Sequence, residues 1–204
     1  MSARLLRSKD PLPHTLADDL ESFLHVLSWV ALRFMSHDLD APSLTDLLTD
    51  MFDHSYEGAD GTQRGGRSKE SYLVTCEIPN KTVFENGIVR ELLKDLTNTC
   101  AVRYEERPSE KAYARYHKAL GEGDNETSDL PAAQYEKRSV ALQSSDWMLR
   151  RFTDAVSDPS RWPDDTSLEN KLSHPPQLGV KRKSQFGDSD IPRQKLRSET
   201  TARQ

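Results

Sequence analysis

The chain has 204 residues, enough for one domain with a substantial core and too few for two of ordinary size. Hydrophobic residues make up 35% and charged residues 30%, and the formal net charge of -5 excludes a uniformly basic nucleic-acid binder. The charge is uneven: residues 171–204 hold 8 Lys/Arg against 3 Asp/Glu, and residues 1–170 hold 20 against 30, so an acidic body carries a basic tail.

In chain order, the first element is a helix through residues 14–34. Leu20, Phe23, Leu24, Leu27, Ala31 and Phe34 recur at helical spacing, and Val26, Trp29 and Val30 widen the apolar face. Only Glu21, His25 and Ser28 form a polar stripe. A helix so nearly apolar all round is normally surrounded by protein, with residues such as Leu27 as core anchors. Ser43 is the expected cap of a second helix, striped by Leu44, Leu47, Leu48, Met51 and Phe52. The stretch YEGADGTQRGGR reads as a loop. Residues 72–78 are apolar but contain β-branched positions, which leaves helix and strand open.

Ile88, Val89, Leu92, Leu93, Leu96 and Cys100 define a further helix. Ser109 caps another with Tyr113, Tyr116 and Leu120, ended by a Gly, Asp and Asn cluster at 121–125. Ser144 or Ser145 caps a last one with Trp147, Met148, Leu149, Phe152 and Val156. No alternating strand series is visible, so the fold class is mainly α. Residues 165–204 are rich in Pro, Ser, Lys and Arg with Phe186 as their one aromatic, a composition that predicts a disordered basic tail. Within it, Lys181, Arg182 and Lys183 suit a nuclear import signal and equally a solvated tail without a reader.

Cys76 and Cys100 form no paired motif and predict a reducing compartment. With no signal-like leader, and with the Phe23–Phe34 run too short to span a bilayer, the expected location is intracellular, nuclear or otherwise cytoplasmic, without membrane. The six histidines have no metal-ligand spacing, and no nucleophile elbow occurs, so no metal or catalytic residue is assigned. Gly61–Ser68 fits a phosphate-loop spacing with Arg67 in the lysine position, but the preceding residues HSYEGAD do not read as a strand. A surface loop is the expected state. The basic tail lacks an aromatic stacking platform, which argues against nucleic acid as partner.

Two adjacent acids, Asp18 and Asp19, stand at the mouth of the apolar helix. Thr15-Leu16-Ala17-Asp18 fits a capping box, and Asp19 favours the positive end of the helix dipole. The residues carry a resemblance as well. DDLESF before an apolar helix looks like the central helix of the larger lobe of protein kinases. The series MSARLL, PHTLADDLESFLHVLSWVALRF, GGRSKESYL and SSDWMLRRF resembles the fungal-type protein kinase family from Met1 to about Asp165. By that resemblance, MSARLL is similar to the end of the activation segment. Asp19 is then a structural anchor whose carboxylate accepts hydrogen bonds from the catalytic loop, not a catalyst.

The resemblance implies, for residues 1–164, an incomplete kinase-like C-terminal lobe without the N-terminal lobe and catalytic loop. No H-R-D, D-F-G or G-x-G-x-x-G occurs in the sequence, and phosphoryl transfer needs all three parts. The expected function is a truncated, pseudokinase-like member of a phosphotransferase family without activity as the chain stands. Its status as an enzyme stays open. ATP and Mg²⁺ enter as cofactors only if a complete kinase domain exists upstream. The alternatives are a non-enzymatic helical interaction module, or part of an active Ser/Thr-type kinase whose N-terminal part is missing from the gene model. A protein partner or the missing half is the expected binding partner.

Overall fold

A computed structural model describes residues 1–8, 10, 12–57, 61, 63–122, 125–162 and 170–172. The chain divides into Met1–Ser173 and His174–Gln204, and all described residues belong to the first unit. The expected import signal at Lys181, Arg182 and Lys183 lies outside them. The described chain is mainly helical, as the periodicity predicts.

Helix α1 (Ala3–Arg7) is one turn long, and Ser2 caps it by accepting from the Leu5 amide. Helix α2 (Leu16–Phe34) is the longest and crosses the centre. Helix α3 (Ala41–Leu48) is capped by Asp40, whose Oδ1 accepts from the Ser43 amide at 2.8 Å. Ser43 is therefore a first-turn residue and not the cap. The α3 stripe runs on into a wider turn at Thr49–Asp53, so Leu44, Leu48 and Met51 stay buried on one side.

Strands β1 (Ser55–Glu57) and β2 (Gln63–Gly65) form an antiparallel hairpin inside the stretch that reads as a loop. Three residues per strand are too few for alternation to register in the sequence. The apolar stretch after it resolves into α4 (Arg67–Val74) and α5 (Glu77–Lys81), broken at Cys76, which sits at φ 48°. Helix α6 (Gly87–Ala101) buries Ile88, Val89, Leu92, Leu93, Leu96 and Cys100.

The later helices are more exposed. Helix α7 (Glu110–Glu122) begins after Ser109, whose hydroxyl accepts from the Ala112 amide, and none of its residues is buried. Its Tyr113 instead donates to Glu136 of α8 (Pro131–Ala141), a helix whose buried Ala132 and Ala133 give only a faint apolar stripe. Helix α9 (Asp146–Val156) buries Met148 and Ala155, while Leu149 and Val156 face outward. Asn170–Leu172, within the segment whose composition predicts disorder, dock at the end of α2. Lys171 donates to the Arg33 carbonyl at 2.7 Å, and Leu172 joins the core.

The core forms where α2 crosses α6, with Leu24, Leu32, Leu44, Leu93 and Leu96 almost wholly enclosed. Leu27 is only partly buried against this cluster, so Leu24 is the anchor that the α2 pattern assigns to Leu27. Gly66, between β2 and α4, holds φ at +78°, and a Cβ there would meet Ala3 Cα and O at 3.0 Å and Leu6 Cβ at 2.9 Å. Gly87, by contrast, has open space around it. Gly66→Ala should therefore destabilise by about 1–3 kcal/mol, through left-handed strain and loss of α1 seating. Gly87→Ala should be neutral or stabilising by up to about 1 kcal/mol. Paired denaturant melts check both values.

Candidate functional site

Helix α2 enters the fold with its polar stripe inward. Asp18, Glu21, His25 and Ser28 recur at i, i+3, i+7 and i+10, and none is more than 3% exposed. Residues so spaced share one helix face, and here that face meets α1 and the end of α6. The opposite face carries Leu16, Phe23, Val26 and Val30, with Phe23 52% and Val26 60% exposed. The polar stripe thus lies inside beside the buried Leu20, Leu24, Ala31 and Leu32, while a second apolar face is left outside.

The buried acids stay charged because fixed donors surround them. Asp18 Oδ1 accepts from the Ser2 hydroxyl at 2.8 Å, Arg4 Nε at 3.1 Å and an Arg103 amino group at 2.6 Å. Its Oδ2 accepts from the Thr15 amide at 2.9 Å, the Thr15 hydroxyl at 2.7 Å and the second arm of Arg4. Capping and burial thus fall on the same carboxylate. Burial would raise the Asp18 carboxyl, but hydrogen bonds from Arg4, Arg103, Thr15 and Ser2 overcome this and hold it far below the usual range.

Glu21, one turn on, takes the Ala3 amide at 2.6 Å and the Tyr104 hydroxyl at 2.7 Å, and it pairs with the other arm of Arg103. Its carboxyl is also lowered, since burial is outweighed by His25, the Ala3 amide, Tyr104 and the Arg103 charge. His25 Nε2 lies 3.4 Å from Glu21 Oε1, and burial pushes the imidazole below its ordinary value. Lys69 of α4 is lowered by burial too, and its ammonium donates to the Met1 carbonyl at 3.4 Å. Arg103 also donates to the Ala17 carbonyl at 3.0 Å, and Tyr104 accepts from the Arg4 amide at 3.1 Å.

Chemically this is a clamp. Its carboxylate oxygens are already engaged by donors fixed within the chain, which leaves no base aimed at open space. It fastens α1 to α2 through the residues that follow α6. Asp19, the acid assigned to anchoring, sits 100° round the helix, 64% exposed, and its carboxylate faces His14 Nε2 at 3.2 Å. The two neighbouring acids do different work, and Asp18 is the buried one.

The other motifs fall elsewhere. In Gly61–Ser68, residues 63–65 are strand β2, paired with β1, and Gly66 is pressed against Ala3 and not turned toward a ligand. Among the described residues no His, Cys, Asp and Glu group is placed to hold a metal. Burial pushes the Cys100 thiol up to about 12, consistent with a small core residue. A shallow cleft of about 190 Å³ opens between α6, α8 and α9, beside Asp95, Lys137, Arg138, Trp147 and Arg151. Its Arg138 is committed to Glu105, at 2.5 and 2.6 Å. No helix among the described residues is long and apolar enough to cross a membrane.

The sequence reading missed Glu21, His25, Arg103 and Tyr104 as one constellation. The i, i+3, i+7, i+10 stripe was a usable signal, but a polar stripe on an apolar helix ordinarily faces water. Arg103 lies 82 residues from Glu21, and no local pattern joins them. No family model, curated protein or solved structure matches the chain.

Two measurements check the clamp. Arg103→Met, which strips both buried carboxylates of a shared cation, should cost about 3–5 kcal/mol, whereas Asp19→Asn should stay within about 0.5. Equal losses in chemical melts would place Asp19 under cover. Separately, carboxyls held low in the folded state contribute stability that is complete above their unfolded pKa. Stability should therefore fall as pH drops below about 4, and Asp18→Asn should flatten that limb.

Proposed function

We propose that residues 1–164 are the C-terminal-lobe portion of a fungal-type protein kinase-like domain. In this reading they serve as a helical binding module and carry out no phosphoryl transfer themselves. The observation that carries the reading is the second, exposed apolar face of α2. A central helix that turns Phe23, Val26 and Val30 outward, beside an uncovered Asp19, is arranged to meet a second body. Phe152 of α9 extends the same surface, with its ring 5.5 Å from Phe23 in an edge-on contact, and Leu149 and Val156 flank it.

The resemblance supports the same arrangement from the sequence side. There, MSARLL and the DDLESF helix are neighbours, and the clamp joins the segments that carry these strings: Ser2, Ala3 and Arg4 to Asp18 and Glu21. The sequence holds no glycine-rich loop, strand lysine or metal-binding Asp to handle a nucleotide. The interaction-module reading draws on the same exposed face and differs only in ancestry.

Three results test the proposal on the 204-residue chain. It should transfer no γ-phosphate and show no saturable ATP binding, with or without Arg67→Ala. Phe23→Ser with Val26→Ser should cost no more than about 2 kcal/mol in the melt, mainly the lost edge contact with Phe152, while reducing concentration-dependent association. An experimental structure should show α2 as the central helix, packed on α6, with Phe23, Val26 and Val30 exposed. Phosphoryl transfer, a large stability loss on Phe23 and Val26 substitution, or a different topology would each end the reading.

A further inference from the structure

His25 is 3% exposed, and one side of its ring is unsatisfied. Nε2 faces Glu21 Oε1 at 3.4 Å, while Nδ1 is buried without a hydrogen-bond partner. With the proton on Nε2, the bare Nδ1 lone pair is tolerated. A second proton would make Nδ1 a charged donor with no acceptor, a costly state in a dry interior.

The surrounding charge acts both ways: the hydrogen bond and charge of Glu21 favour the proton, whereas Lys69 and the Met1 amino group oppose it, and burial outweighs both. The carboxylates of Asp18 and Glu21 already face the guanidiniums of Arg4 and Arg103. The Lys69 ammonium of α4 and the Met1 amino group add positive charge toward His25, while Tyr104 and Cys100 near Glu21 are neutral.

We propose that His25 makes the docking of α1 proton-sensitive: taking up a proton at Nδ1 opens the clamp and releases residues 2–7 while the α2–α6 core stays folded. Opening is cheapest there because α1 is a single turn, too short to be stable alone, with Ser2 and Ala3 its only fully buried residues. The core rests instead on apolar contacts that no proton disturbs. The inference concerns the clamp alone and does not depend on kinase ancestry.

The test is amide hydrogen exchange of residues 2–7, normalised to intrinsic rates, on the full chain. Exchange should rise about tenfold from pH 7.0 to 5.5, the ratio expected when only the open state binds a proton with a pKa near 6.5. Amides of Leu93 and Leu96 should not follow, and His25→Gln should remove the rise. No rise in the wild-type chain, a rise that persists in His25→Gln, or a parallel rise in α6 each overturns the proposal. If His25→Gln does not fold, the imidazole titration by NMR decides. A midpoint below about 6.5 supports the proposal, and one at or above it rejects it.

Discussion

Two carboxylates buried one turn apart on α2, bridged by the single guanidinium of Arg103, are the constraint around which the rest of the described chain is arranged. Neither acid can be enclosed alone, because an unpaired buried charge costs several kcal/mol. Arg103 can reach both only if the end of α6 approaches α2 at that turn. Arg4 and the Ala3 amide complete the set only if α1 lies across the same point. One ionic cluster therefore fixes the mutual position of three segments that are distant in sequence. Such a cluster adds less stability than an apolar core of equal volume, but it tolerates few alternative arrangements.

The inward polar stripe has a consequence on the other side of the helix. With Asp18, Glu21, His25 and Ser28 sharing the buried side with Leu20, Leu24, Ala31 and Leu32, the apolar positions on the far side, Phe23, Val26 and Val30, face out. Each large apolar side chain left in water forgoes about 1.5–3 kcal/mol that burial would supply. Phe23, Val26 and Val30 thus leave apolar area in water on one face of α2. The clamp and the exposed face are two results of one rotation of α2. A change that turned the helix to bury Phe23 would drag Glu21 away from Arg103.

Much of this was legible in the sequence, and the failures have identifiable physics. Helices α2, α3, α6 and α9 follow from apolar spacing, and the α6 core list is read off directly because that helix obeys the ordinary rule of apolar side inward. Helix α8 escapes because its buried face is made of alanines, which give almost no periodic contrast. The hairpin escapes because three-residue strands carry too short a pattern. Helix α7 was legible as a helix but not as an exposed one, since Tyr113, Tyr116 and Leu120 form a proper stripe that packs only on neighbours at the edge. The exposed start of α2 and the apolar patch beside Asp19 follow from the missing half that the resemblance implies, but the burial of the polar stripe was the deepest miss. Composition indicates which face is polar, but which face is buried depends on whether cations arrive from elsewhere, and Arg103 does so across more than 80 residues.

The adjacent acids show why a motif resemblance and a three-dimensional site can point to different atoms. Consecutive helix residues lie 100° apart, so Asp18 and Asp19 cannot serve the same surface. Asp18 is saturated by Ser2, Arg4, Thr15 and Arg103. Asp19 faces only His14 in the open, beside the apolar positions of α2. Any body that covers this face must therefore bring two things together. It must offer apolar area to Phe23, Val26 and Val30, and it must offer donors to the Asp19 carboxylate, because covering that charge without hydrogen bonds would cancel much of what the apolar contacts supply. A purely greasy partner fails the second requirement, and a purely basic one fails the first. A body that met both demands on this one helix face would be a selective partner.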